Sequence, residues 1–506
     1  MHNGVSIDLL RLEANQKINL ARKSELGQFM TPSSVAQFMA SLFYPGNFAA
    51  IHLLDAGAGI GSLTAAFLER WLAEEIMARS VQVTAYEIDP TLCAYFEKLL
   101  ATYSQRASAA GLDLSIDTVV YDFIEDATDR IMFWNTQGFT HAVLNPPYKK
   151  ISSHSQHRKS LHAVGIETVN LYSAFVALAI HLLADGGELV AIIPRSFCNG
   201  PYYQSFRKLL LTKTVIRHIH LFTARDQAFS DDDVLQENII IHLIKGHIQE
   251  TVTISTSTDQ TFDDYFIYEY PFEQIVQSDD PAQFIRIPTT PEQNDIELSA
   301  FVRCSLADLG IEVSTGPVVD FRVKIHLRQQ LEVESVPLLY PGHFVGGTME
   351  WPRFDLKKAN ALALNPETEK WLYPTGFYTV VKRFSSKEEK RRIVANVVSP
   401  HMFDSPRLGF ENHLNVFHQA KQGLPEALAY GLTTFLNSSV VDDYFRRFNG
   451  HTQVNATDLR MMKYPCQDAL ITLGHWAKDQ KTAIPAAIDE KVAAILWPNR
   501  HMSSKP

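Results

Sequence analysis

The stretch Ile51-His52-Leu53-Leu54-Asp55-Ala56-Gly57-Ala58-Gly59-Ile60-Gly61-Ser62-Leu63-Thr64 decides the fold. An apolar run of strand length ends at an aspartate, passes through glycines at alternate positions, and enters a helical pattern over 62–78. Glycines at such a turn permit tight backbone and close approach of a ligand to the main chain. Working outward, VQVTAYE (81–87), DTVVYD (117–122), THAVLN (140–145) and ELVAIIP (188–194) read as further buried strands. Helix-like segments over 90–110 and 170–184 separate them. This alternation predicts a doubly wound α/β domain with a mostly parallel sheet. TVIRHIHLF (214–222) and ENIIIHLIKG (237–246), joined by a polar loop, predict an antiparallel hairpin closing the sheet edge. A leading helix is expected within 5–24.

Ligands of open α/β sheets sit at the carboxyl ends of the strands, so the residues there matter most. The second strand ends in Tyr86-Glu87-Ile88-Asp89, an acidic end suited to ribose hydroxyls. The third is expected to end in Asp122-Phe123, a carboxylate that can accept from an adenine amino group and a ring that can pack on its face. With Asp55, Ala56, Gly57 and Gly59 these form the candidate cofactor residues of the first three strands.

The fourth strand runs into Asn145-Pro146-Pro147-Tyr148. An aromatic amino nitrogen delocalises its lone pair into the ring and is a poor nucleophile. The Asn145 side-chain oxygen and the Pro146 carbonyl can both accept from such an NH2. That draws the nitrogen toward tetrahedral geometry and aims its lone pair at an electrophilic methyl. The two prolines fix φ and stiffen the loop. Tyr148 offers a face on which a base can stack.

These residues resemble the N6-adenine DNA methyltransferases of bacterial restriction–modification systems. Gly27-Gln28-Phe29-Met30-Thr31-Pro32 looks like the family's N-terminal motif, beside the methionine part of S-adenosylmethionine. The resemblance adds Gln28, Phe29, Thr31, Pro32 and Asn145 to the expected cofactor site. Ala228-Phe229 resembles its late aromatic position, which implies that Phe229 packs against the target base. Asn170 through Phe175, and Gly187-Glu188 through Ser196-Phe197, fit its middle motifs. The motif order is that of the gamma class. The resemblance implies a seven-stranded S-adenosylmethionine-dependent methyltransferase sheet, and a C-terminal mixed α/β domain that recognises DNA.

A looser likeness continues through STGPVVDFR (314–322), KRFSSKEEKRR (382–392), ENHLNVF (411–417) and FNGHTQVNATDLR (448–460), toward the group containing the BsuBI and PstI methylases. It implies CTGCAG as a target and a separate cognate restriction endonuclease as partner. The expected division is a catalytic domain over 1–275, a linker over 276–295 of lower hydrophobicity, and a target-recognition domain over 296–506.

A base in a duplex cannot reach a buried loop, so such an enzyme flips its adenine out and holds double-stranded DNA elsewhere. Lys382, Arg383, Lys390, Arg391 and Arg392 form a basic run suited to phosphates. The same run fits a solvated helix face equally well. Gln453, Asn455 and Arg460 are of the types that read base edges, or cap a loop.

The 506 residues suffice for two or three domains. A net charge of −10 speaks against a nonspecific polyanion coater but leaves local basic patches open. The four cysteines lie far apart without metal or disulfide spacing, and Pro465-Cys466-Gln467 reads as structural. No metal, no membrane partner and a bacterial cytoplasmic location are expected. Competing readings are a protein glutamine methylase, which also uses Asn-Pro-Pro-Tyr, an RNA adenine methylase, and a degenerate fold that only binds nucleic acid. The large C-terminal domain favours DNA over the first, and the complete catalytic loop favours an enzyme over the last.

Overall fold

The computed structural model describes residues 7–17, 30–46, 48–133, 138–222, 237–278, 280–288, 301–345, 348–385, 391–448, 453–480 and 485–497. The chain divides into two compact units, Met1–Pro291 and Glu292–Pro506.

The first unit is built on a sheet with strands β1 (Ala50–Ala56), β2 (Ser80–Tyr86), β3 (Asp113–Val119), β4 (Phe139–Leu144), β5 (Leu183–Pro194), β6 (Thr214–Phe222), β7 (Asn238–Lys245), β8 (Val252–Ser257) and β9 (Phe266–Tyr270). Their order is β3-β2-β1-β4-β5-β7-β6-β8-β9. β1 through β5 pair in parallel, and β7 lies antiparallel to both β5 and β6. The sheet is therefore mostly parallel and doubly wound, but it has nine strands rather than seven. The expected hairpin of β6 and β7 forms, yet it does not close the edge, because β8 and β9 continue beyond it. β8 (Val252-Thr253-Ile254-Ser255-Thr256-Ser257) is mostly buried but interrupts its apolar residues with Thr and Ser, and β9 leaves Phe266 and Ile267 exposed, so neither shows the apolar run of a central strand.

Side-chain alternation explains why both faces carry helices. On β1, Leu54 faces one core and Leu53 the other; on β5, Leu189, Ala191 and Ile193 face the first, and Val190 and Ile192 the second. The first core takes Phe123, Ile124 and Ala127 from helix Phe123–Phe133, and Ala174, Val176 and Ile180 from helix Leu171–Leu182. The second takes Val35 and Met39 from helix Ser33–Ser41, Phe67 and Trp71 from Ser62–Leu72, and Phe96 and Leu100 from Pro90–Ala109. The leading helix covers Ile7–Lys17. Within the segment expected to be a linker, Ile285 and Ile287 are fully buried in the first core, and Ile285 N–H donates to the Cys198 carbonyl at 2.9 Å. Its buried Phe284, Ile285 and Ile287 outweigh its polar average.

The second unit holds a four-stranded antiparallel sheet in the order Glu312–Thr315, Leu414–His418, Tyr378–Lys382, Ala395–Val398. The strands of a mixed sheet of five short strands are interleaved with these along the chain. Helices Glu426–Leu436 and Gln467–Lys478 cross with their backbones in contact. A Cβ on Gly431 would lie 1.7 Å from the Leu470 carbonyl oxygen, so only glycine allows this approach. Among the described residues no helix is long and apolar enough to cross a membrane.

Candidate active site

Chain order reverses direction between β1 and β4, which are hydrogen-bonded neighbours with Asp55 beside Val143. The loops leaving those two strands therefore open onto one crevice, the switch point where α/β sheets bind ligands. A Cβ on Gly57 would sit 4.0 Å from the Asn145 carbonyl oxygen. A cavity of about 390 Å³ occupies this place. Met30, Thr31, the glycine loop, Glu87, Ile88, Asp122, Phe123 and Asn145 all contribute to its wall.

The glycine loop hangs from β2. Gly57 and Ala58 donate backbone N–H bonds to the Tyr86 carbonyl, both at 2.9 Å. Gly57, Gly59 and Gly61 have φ of 86°, 59° and 91°, which side-chain-bearing residues adopt poorly. At Gly61 a Cβ would also strike Phe96 at 2.7 Å. Glu87 locks the loop to the strand end: its carboxylate accepts from Gly59 N–H at 2.9 Å and from Asp89 N–H at 2.8 Å. Burial pushes the Glu87 carboxyl up from its ordinary range, partly offset by these backbone bonds.

Asp55 and Ala56 stand beneath the loop, both fully buried. Asp55 accepts from the Thr64 hydroxyl at 2.6 Å, and burial pushes its carboxyl up to about 7. Asp55 thus supports the turn from inside, below the cavity wall. The Ser62 hydroxyl on that wall is buried without a hydrogen-bond partner among the described residues.

Asp122 stands beyond the end of β3, which stops at Val119 rather than at 122. The polar start of that strand, Asp113-Leu114-Ser115, hides it from a hydrophobic pattern. Asp122 caps helix Phe123–Phe133, accepting from Ile124 N–H at 2.8 Å and Glu125 N–H at 3.1 Å. Its second oxygen meets His157 Nε2 at 3.0 Å. Phe123 is wedged between Tyr86 and Phe175, with ring centroids 5.0 Å from each. The exposed face of Ile88 completes an apolar slot beside two carboxylates.

Asn145 is fixed from two sides. Its Nδ2 donates to Thr31 Oγ1 at 3.0 Å, and its Oδ1 accepts from the Tyr148 hydroxyl at 3.1 Å. That hydroxyl also lies 3.1 Å from the Ile192 carbonyl oxygen. Burial pushes the Tyr148 phenol well above its usual value, so it stays a neutral donor. The half-buried Tyr148 ring meets Tyr172 edge-on at 6.3 Å. Pro146 is buried, Pro147 is on the cavity wall, and Lys149 and Lys150 follow on the same wall. Pro32 is buried and caps helix Ser33–Ser41.

Gln28, Phe29 and Phe229 lie outside the described residues, as does Lys390. His157 sits in a polar run without a motif and carries no local mark of its place in the site. The nearest signal is Ser155, a helix-capping residue whose Oγ accepts from Arg158 N–H at 3.3 Å.

The second unit brings two expected DNA segments together. Arg383 donates to Gln453 Oε1 at 3.2 Å, and Val454 N–H to the Arg383 carbonyl at 2.7 Å. Phe384 beside them is exposed. Lys382 lies 5.8 Å from the Phe344 ring centroid, and Arg391 donates to Ser439 at 3.3 Å. Arg392, expected on the phosphate-binding face, is instead 1% exposed, with Nε on Ser385 at 3.3 Å and its guanidinium over Phe445. It ties the sheet to helix Ser439–Phe448, where Asp442 accepts from its backbone N–H at 2.6 Å. Asn455 likewise serves its own chain, forming a reciprocal cap with Asp458 at the start of helix Ala456–Met461. Arg460 remains exposed, with Nε on the Val313 carbonyl at 3.3 Å.

The arrangement has two acidic acceptors, an apolar slot, a glycine loop with exposed backbone and an oriented carboxamide. These fit a nucleoside-bearing cofactor such as S-adenosylmethionine. Among the described residues no group of three or more His, Cys, Asp or Glu could hold a metal ion.

Comparison with known proteins agrees. The family described as Eco57I restriction-modification methylase matches residues 75–229. Type II methyltransferase M.BsuBI of Bacillus subtilis is 53% identical over 502 residues, covering 98% of both chains. Type II methyltransferase M.PstI of Providencia stuartii is 44% identical over 471 residues, covering 92% of each. Among solved structures, a nuclease-deletion mutant of the Type ISP restriction-modification enzyme LlaGI with a DNA substrate mimic shares the fold. The TM-score is 0.50 at 13% identity, over 94% of this chain and 57% of that one.

Proposed function

Since the chain belongs to the type II methyltransferases of restriction–modification systems, we propose that this DNA methyltransferase acts on the exocyclic N6 of adenine. Its methyl donor is S-adenosylmethionine, which supplies a methyl group on a positively charged sulfur. In this reading Glu87 holds the ribose hydroxyls, Asp122 accepts from the cofactor's adenine amino group, and Phe123 and Ile88 flank its ring. Thr31 and the Gly57–Gly59 backbone border the methionine end.

The observation that carries the reading is the Asn145 carboxamide, fixed by Thr31 and Tyr148 at the switch point. Its Oδ1 and the Pro146 carbonyl accept the two amino hydrogens of the target adenine. The nitrogen lone pair then points along the line of transfer. Fixing that geometry beforehand removes an entropic part of the barrier. The adenine reaches this loop flipped out of the duplex, stacked on Tyr148 and covered by Phe229. Arg383, Arg391, Gln453 and Arg460 of the second unit contact double-stranded DNA. The recognition site is CTGCAG, a separate endonuclease cuts the unmodified site, and both act in the bacterial cytoplasm.

The test incubates the protein with tritiated S-adenosylmethionine and unmethylated plasmid DNA, followed by nucleoside chromatography. Label in N6-methyldeoxyadenosine, and protection of CTGCAG from cleavage, are expected. Asn145→Ala abolishes transfer while cofactor and DNA binding persist. Label in methylcytosine, or in protein or RNA alone, overturns the adenine reading.

A further inference from the structure

His157 lies outside every motif discussed above, yet it is on the cavity wall. It belongs to helix Gln156–Ala163, which follows the catalytic loop through a segment that itself lines the cavity at Lys149, Lys150, Ile151, Ser152 and Ser155. Its Nε2 donates to Asp122 Oδ2 at 3.0 Å. The other Asp122 oxygen is committed to the N–H groups of Ile124 and Glu125. One carboxylate is thus gripped by two helices that are distant in sequence.

The electrostatics match a charged pair. Burial pushes the Asp122 carboxyl up, but the hydrogen bond and charge of His157, together with the backbone N–H bonds of Glu125 and Ile124, more than offset it, leaving the group below the usual carboxylate range. The bond to Asp122 lifts the His157 imidazole above its ordinary value, against partial burial. Both side chains keep about a third of their surface exposed, so the pair borders the cavity rather than the core. A carboxylate oxygen accepts more than one hydrogen bond, so His157 and an amino group can share Oδ2.

We propose that His157 is a positioning residue of the cofactor pocket: it holds Asp122 turned toward the cavity and ties the segment after the catalytic loop to the adenine end of the bound cofactor. This rests on the reading that the cavity takes S-adenosylmethionine with its adenine at Asp122. Binding the cofactor strengthens the carboxylate's hold on one orientation. Through His157 that order passes to residues 149–157, which lead back to Tyr148.

The test compares His157→Asn and His157→Gln in the full chain. Asparagine is too short to reach Asp122; glutamine can place Nε2 where the imidazole donor stands. Titration calorimetry with S-adenosylmethionine gives Kd, and hydrogen exchange with and without the cofactor reads protection over 149–163. A hydrogen bond to a charged group corresponds to about a tenfold change in Kd. His157→Asn is expected to raise Kd about that much and to lose the cofactor-induced protection of 149–163. His157→Gln is expected to stay within about threefold of the parent and to keep it. Asp122→Ala with His157→Asn should weaken binding no more than Asp122→Ala alone. Unchanged Kd and protection in His157→Asn, or additive losses in the double variant, overturn the role of His157. Unchanged binding by Asp122→Ala overturns the pocket reading itself, which separates the two failures.

Discussion

Tyr148→Phe isolates the hydroxyl from the ring. The phenol oxygen lies 3.1 Å from Asn145 Oδ1 and 3.1 Å from the Ile192 carbonyl oxygen. A hydroxyl has one proton, so these two acceptors share a single bond. Its net worth is about 1 kcal/mol, the ordinary value for a neutral pair. Phenylalanine keeps the ring and its stacking surface, so the variant should lose about 1 kcal/mol of stability. Losing one restraint on the carboxamide should slow transfer about fivefold to tenfold, the equivalent of roughly 1–1.4 kcal/mol in the barrier. Tyr148→Ala also removes the stacking face, worth about 1–3 kcal/mol per base, and should slow transfer by a further factor of about ten or more. Single-turnover transfer of labelled methyl to duplex DNA at saturating cofactor measures the rate, and urea unfolding measures the stability. A phenylalanine variant at full rate would make the contact with Asn145 incidental. If phenylalanine and alanine fail equally, the ring contributes nothing and the stacking account falls.

Two further outcomes follow from buried groups. Burial pushes His141 and His218 down to about 4 and His220 to about 3, all neutral in the folded protein. Their unfolded value is near 6.5, so the stability they contribute is complete above that pH and is lost as pH falls toward 4. Between pH 7 and 5 each costs about 2 kcal/mol, while Asp55, pushed up to about 7, returns about 2 kcal/mol over the same window, so these four groups together lose roughly 3–4 kcal/mol. A urea midpoint that is flat or higher at pH 5 refutes this. Arg392→Ala should destabilise the protein by about 3 kcal/mol through loss of a buried cation's contacts, with the salt dependence of DNA binding unchanged; a shallower salt slope at intact stability would return Arg392 to the DNA-binding face.

The first sheet was legible because its central strands are apolar on both faces, as Leu53 and Leu54 illustrate. β3 was misplaced because its outer position tolerates Asp113, Ser115 and Asp117. β8 was invisible because its buried Thr and Ser side chains break the apolar run, and β9 because its apolar residues are exposed at the sheet edge. Asn145, Glu87 and the glycine loop could be read because their chemistry lies in consecutive residues. His157 could not, since its partner is 35 positions away and no local pattern marks a tertiary hydrogen bond. Arg392 misled because a charge run gives no sign of which member turns inward.

The carboxamide of Asn145 shows why the pieces occur in this order along the chain. A loop after one strand cannot orient its own amide fully, because both ends of the group need partners. Tyr148, three residues on, supplies one from the same loop. Thr31, which precedes the whole sheet in sequence, supplies the other, and it is held by the start of a helix packed on the second core. Placing that segment before β1 brings it to the switch point without lengthening the catalytic loop. The amide is thereby gripped by two parts of the chain that each rest on a separate packed core. A single loop with its own hydrogen bonds would be free to adjust; this one can move only if a core moves with it.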